Sequence, residues 1–143
     1  MDIEQNKALV RRFYDDVLNG RHVEVLDGIA AESYVENDPL PGQGTGLDGL
    51  KGRVTMLLDG LDPHFTLEDI IAEGDRVVVR WTNAGTHRND FLGIPATGRS
   101  FAIAGIDIHR IANGRLAEHW HVVDQLAQMQ QLGLLPAPGE APA

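Results

Sequence analysis

The chain has no cysteine among its 143 residues, which excludes a disulfide framework and thiolate chemistry and suits a reducing, cytoplasmic setting. No apolar run is long enough to span a bilayer. The opening MDIEQNK is charged and leads into a helical pattern, unlike a secretory signal. Bases are scarce: 12 Lys and Arg face 21 Asp and Glu, a net charge of −9, and no cationic cluster offsets it. A surface that tracks phosphates needs the opposite balance, so neither nucleic acid nor a membrane is an expected partner. Glycine is the one special residue in plenty. Gly42, Gly44 and Gly46 sit in the loop PLPGQGTG, which lacks the Lys-Ser/Thr of a phosphate loop and follows no convincing buried strand. We read it as a mobile loop at a cavity mouth.

Asp2 and Gln5 form the sequence signature of a capping box. Leu9, Val10, Phe13, Tyr14, Val17 and Leu18 then recur at helical spacing up to Gly20. Val23 to Ala30 predicts a shorter second helix, weakened by Gly28, and Leu47 to Leu61 a third. Tyr34 to Asn37 reads as a short strand, and Phe65–Ala72 and Asp75–His87 as two longer ones. Gln125 to Leu132 predicts a last helix, with Asp124 as its cap. Helices first and antiparallel strands after them give a single α+β domain over residues 1–135, with a disordered tail over 136–143.

The densest chemistry lies in FAIAGIDIHRIANGRLAEHWHVVD, residues 101–124. Asn113-Gly114 between alternating apolar and polar residues is a strong hairpin signal. Odd positions carry Asp107, His109, His119 and His121, while even positions carry Ile106, Ile108, Trp120 and Val122. Alternation puts the two sets on opposite faces. A three-residue turn with Gly114 as a bulge residue would pair Asp107 with His119 and Gly105 with His121. A strict two-residue turn would put Asp107 opposite Trp120 and scatter the group. We expect the first register, with a curved, cone-shaped sheet whose polar odd positions line a pocket. The even face must be covered by a helix or a second subunit.

FLGIPATGR (residues 91–99), GIDIHRIANGRLAEHW (105–120) and QQLG (130–133) resemble the SnoaL-like polyketide cyclase family of the nuclear transport factor 2-like superfamily. The first helix and Tyr34-Val35-Glu36-Asn37 match it in type and placement. The resemblance implies a curved, mostly antiparallel sheet wrapped by three N-terminal helices around a deep apolar pocket. It also implies frequent homodimers and chemistry without a cofactor or metal. The family's cyclases close a ring by intramolecular aldol condensation, with an Asp on the last long strand near a His on the strand before it. Here those positions carry His121 and Asp107, so the residue types are exchanged.

The expectation that follows is acid/base catalysis on a polyketide-like or small carbonyl compound. His121 is the base, because an imidazole titrates near working pH. Asp107 orients it, and His119 donates to the enolate oxygen. Tyr34, Asn37, Trp81 and His87 are candidates for lining the pocket or holding a substrate oxygen. Two other readings use the same residues. One is an epoxide hydrolase, for which no Asp-Arg-Asp group can be assembled, since Arg80 and Arg110 lie on the even face. The other is a non-catalytic dimeric ligand-binding protein.

Overall fold

The computed structural model describes residues 2–140. The capping box forms: Gln5 N–H donates to the Asp2 carboxylate at 2.7 Å, and Asp2 N–H to the Gln5 side chain at 3.1 Å. It starts helix α1 (Ile3–Arg12), which runs into a wider π-helical stretch, Phe13–Asn19. Gly20 closes that stretch, and a Cβ there would stand 2.6 Å from the Asp16 carbonyl, so only glycine fits. Val10, Phe13, Tyr14, Val17 and Leu18 form its buried face. The expected second helix is split into a 3₁₀ turn (Val23–Val25) and a four-residue α2 (Leu26–Ile29).

Strand β1 (Ala30–Glu36) follows and is longer than the sequence suggested. It precedes α3 (Gly46–Leu61), so the helices do not all come before the sheet. Strands β2 (His64–Glu73), β3 (Arg76–Thr86), β4 (Ser100–Ala112) and β5 (Arg115–Val123) complete a five-stranded sheet in the order β1-β5-β4-β3-β2. β1 runs parallel to β5, and every other pairing is antiparallel. Helix α4 (Gln125–Gln131) is capped by Asp124, which accepts from Ala127 N–H at 3.1 Å. Of the tail, residues 136–140 make a short turn closed by Glu140 N–H on the Ala137 carbonyl, and 141–143 lie outside the described residues.

The central hairpin departs from the expected register. Asn113 and Gly114 both have positive φ (53° and 71°), the geometry of a two-residue turn, and Ile111 pairs with Leu116. Ala117 is then an extra residue: the pairing shifts by one, and Arg110 meets Glu118. The bulge brings odd positions back opposite odd positions. Asp107 therefore faces His121, not His119, and His109 faces His119. Gly105 faces Val123 rather than His121. The space its missing side chain leaves is taken by Trp81, whose ring would lie 2.3 Å from a Cβ at Gly105.

Burial alternates along β4 and places the odd positions inside, against α1, the π-helical stretch and α3. Burying each large side chain of this layer contributes roughly 1.5–3 kcal/mol. The even face stays outside. Ile71, Ile106 and Val122 are 63%, 45% and 77% exposed, and no helix among the described residues covers them.

Candidate active site

The buried face of the sheet meets the helices at a chain of hydrogen-bonded polar groups. Asp107 on β4 lies at its centre. Its Oδ2 accepts from the Tyr14 hydroxyl at 2.5 Å and from Trp81 Nε1 at 2.8 Å, and its Oδ1 accepts from His119 Nε2 at 3.1 Å. The other nitrogen of His119, Nδ1, donates to Glu36 Oε1 at 2.7 Å. Helix α3 sends Arg53 in from the other side. Arg53 Nη1 donates to Glu36 Oε1 at 3.1 Å, and Nη2 donates to His121 Nδ1, also at 3.1 Å. Behind Asp107, His109 Nε2 lies 2.7 Å from the Tyr14 oxygen. The Tyr14 proton is committed to Asp107, so the His109 ring donates there.

Charge follows from these partners. Burial alone would raise the Asp107 carboxyl, but the hydrogen bond and positive charge of His119 outweigh it and hold Asp107 well below the usual carboxylate range. Burial disfavours the His119 cation, yet its two carboxylate partners push it up to about 9. His119 is thus an imidazolium clamped between two acids at neutral pH. His109 is pushed down to about 3 by burial and by the His119 charge, and is neutral. His121 is lowered from 6.5 by burial first, then by Arg53 and His119. It is a neutral imidazole whose Nδ1 lone pair points at the guanidinium.

A cavity of about 50 Å³ opens onto this chain, lined by Phe13, Leu50, Val54, Phe65 and Trp81 on its apolar walls and by Tyr34, Glu36, Arg53, Asp107 and His119 on its polar side. Tyr34 is 4% exposed, and its hydroxyl has no hydrogen-bond partner among the described residues. Ligand atoms of Glu36, His119 and His121 come within 4.8 Å of one another, as do those of Asp107, His109 and His119. Either group has the donors of a transition-metal site. In the first, Arg53 already supplies a positive charge between Glu36 and His121.

Several expected roles change with this geometry. Asp107 does not orient His121; it holds His119. His119 is not a free oxyanion donor, because both ring nitrogens already donate to carboxylates. Tyr34 and Trp81 line the cavity as expected. Asn37 does not: its amide donates to Glu118 and to the His119 carbonyl, tying β1 to β5. His87 is also elsewhere, buried and accepting from Thr97 N–H, where it pins the loop that follows β3.

The residues that sequence reasoning missed are Tyr14, Glu36, Arg53 and His109. Each carried a faint signal. Arg53 falls at helical spacing with Leu50, Val54 and Leu57, a cation on an apolar stripe. Tyr14 lies in the buried stripe of the first helix, where its hydroxyl needs a partner. Glu36 shares parity with Tyr34. His109 shares parity with Asp107, although it lies near the hairpin end.

A family model described as SnoaL-like polyketide cyclase matches residues 8–132. The chain belongs to the SnoaL-like polyketide cyclase family. Among curated proteins it is 33% identical over 121 residues to the aklanonic acid methyl ester cyclase DnrD of Streptomyces peucetius, covering 83% of this chain and 79% of that one. DauD of Streptomyces sp. (strain C5), also an aklanonic acid methyl ester cyclase, is 30% identical over 131 residues, with 87% and 80% covered. Among solved structures, TsrD from Streptomyces laurentii superposes with a TM-score of 0.85 at 32% identity, covering 94% of this chain and 99% of TsrD. The comparisons bear out the α+β fold of the SnoaL-like cyclases and the expectation of a cyclase-type enzyme over a passive binding protein.

Proposed function

We propose that this SnoaL-like protein closes a ring in a polyketide-like ester by a cofactor-free intramolecular aldol reaction, with His121 as base and Arg53 as the group that receives the developing charge. The observation that carries the reading is the pairing of the neutral His121 imidazole with Arg53, whose guanidinium reaches the apolar cavity. His119 holds its proton, Asp107 is boxed in by three donors, and His109 is buried behind Tyr14. His121 is left as the neutral imidazole whose acceptor nitrogen faces only the Arg53 guanidinium.

Arg53 Nη2 donates to that nitrogen's lone pair. A substrate carbonyl oxygen that takes this donor frees Nδ1. His121 then removes a proton from the carbon next to that carbonyl, and the enolate oxygen stays on Arg53. The enolate carbon attacks a second carbonyl of the same molecule, a carbon–carbon bond forms, and the carbonyl π pair becomes an alkoxide. The imidazolium of His121 returns its proton there, which closes the cycle. Tyr34 offers its unpartnered hydroxyl to a substrate oxygen, and His119 is a positioning residue that fixes Glu36 and Asp107. Support for the substrate class comes from the curated relatives, which are named for aklanonic acid methyl ester.

The test is turnover of an aromatic polyketide methyl ester by two variants. His121→Ala should lose about two to four orders of magnitude in rate. Asp107→Asn should raise KM or lower stability but keep a larger share of kcat. The reverse order would transfer the base role to Asp107.

We also propose a homodimer through the uncovered sheet face. Charged residues on that face are already paired within the chain, Arg80 with Asp69 and Arg110 with Glu118. What is left is a stripe of Ile71, Ile106 and Val122, which suits a two-fold copy of itself.

A further inference from the structure

Strand β1 ends at Glu36, yet its hold on β5 runs two residues further. Glu36 pairs with His119 in the parallel register. Asn37 N–H continues the ladder by donating to the His119 carbonyl at 3.0 Å. The next rung belongs to the N–H of His121, and there the ladder changes partner. That N–H donates to the Asp38 carboxylate, at 2.9 Å. Pro39 follows, which disfavours helical backbone at Asp38 and has no N–H to continue a ladder. A side chain thus stands in for a strand carbonyl at the residue of β5 that carries the base.

Asp38 reaches the other member of the pair as well. Its backbone carbonyl accepts from Arg53 Nη1 at 3.3 Å, and its N–H donates to Glu36 Oε2 at 3.1 Å. Glu36 Oε1 accepts from that same Arg53 nitrogen. Asp38 is itself exposed, and its carboxylate makes no ion pair among the described residues. Its one donor is the backbone of His121. The charged groups around the His121 ring are Glu36 on β1, Arg53 on α3, Asp107 on β4 and His119 on β5. Their side chains bond one another, and Arg53 bonds the ring, but none of them bonds the His121 backbone.

We infer that Asp38 is a positioning residue for the ring closure: its carboxylate holds the His121 backbone and its carbonyl holds Arg53, so base and oxyanion partner keep one spacing. The inference rests on the cyclase reading and concerns a residue outside the cavity lining. Without the carboxylate, the His121 N–H has no strand carbonyl to turn to and pairs with water, and the ring follows its backbone. A reacting group displaced by about 1 Å can cost about two orders of magnitude in rate.

The experiment compares the unaltered protein with Asp38→Ala and with Asp38→Asn, which keeps an oxygen acceptor. Amide hydrogen exchange is read along β3, β4 and β5, and turnover is read with aklanonic acid methyl ester as the test substrate. Asp38→Ala should speed exchange at His121 about ten-fold and lower kcat about ten-fold, with KM within about two-fold. Asp38→Asn should bring both values back to within about two-fold of the unaltered protein. Exchange at His121 that stays slow in Asp38→Ala overturns the inference, as does exchange that quickens across β3 and β4 alike. Fast exchange at His121 with kcat unchanged also overturns it, and so does a failure of Asp38→Asn to restore kcat. In each of these cases the unaltered protein still turns the ester over, and the cyclase reading stands. An unaltered protein without turnover brings that reading down, and the inference with it.

Discussion

His119 is the residue on which the site's electrostatics turn. Two carboxylates reach it from different strands, and its proton is retained up to about 9. The folded-state value lies above the ordinary 6.5, so its contribution to stability is complete below about pH 6.5 and is lost as pH rises through about 9. The difference corresponds to something on the order of 3 kcal/mol. Urea unfolding at pH 6 and pH 9.5 should show that loss, and a flat profile between them would contradict the clamp. Asp107 acts in the opposite sense: its stabilisation is present above the ordinary carboxylate range and disappears in acid. The two statements describe one interaction from its two ends and do not add.

Asp107 also depends on a neighbour that offers no charge. Gly105 leaves room for the Trp81 indole, which reaches Asp107 across it. At the scale of the strands, Gly105→Ala should push the ring aside, break the Nε1–Oδ2 bond and destabilise the fold by about 1–3 kcal/mol. Chemical denaturation together with a shift in tryptophan emission checks this, and unchanged values would mean the indole has slack.

The same strands show what the sequence could and could not reveal. Period-two alternation from Phe101 to Val123 was enough to group Asp107, His109, His119 and His121 on one face. The Asn113-Gly114 signal located the turn. The extra residue, Ala117, inverts parity across the bulge, so Leu116 and Ala117 are both buried, and a single alternation read along the whole strand hides that switch. The cross-strand partners were therefore misassigned by one pair. Glu36, Tyr14 and Arg53 come from a strand and two helices far away in sequence. Only tertiary packing brings them to Asp107 and His121, so the faint local signal each carried did not say what it would meet. Asn37 and His87 were plausible by type, yet each is absorbed by a backbone tie. Legibility was thus high for elements and for the face they present, and low for contacts between elements.

At the scale of the molecule, the layering leaves one sheet face without helices among the described residues. Hydrophobic side chains exposed along adjacent strands carry a cost that a second copy would remove. Light scattering should find twice the 15.6 kDa chain mass, and Ile106→Asp combined with Val122→Asp should halve it without disturbing the cavity on the opposite face. A monomer before substitution would refute the dimer. The two faces differ: one carries the buried ionisable groups packed under α1 and α3, the other carries surface ion pairs and an exposed apolar stripe. Net charge of −9 sits on the rest of the surface, which favours neutral ligands over anionic ones at the approach.

The central claim is that His119 keeps its proton while His121 stays neutral with its Nδ1 lone pair facing Arg53. Nitrogen-15 NMR of the histidine rings measures this directly and needs no substrate. At pH 7.5 the account predicts both His119 nitrogens protonated, titrating near 9, and His121 as the Nε2–H tautomer with its transition below 6.5. A neutral His119, or a His121 already charged at that pH, would contradict the assignment of base and clamp.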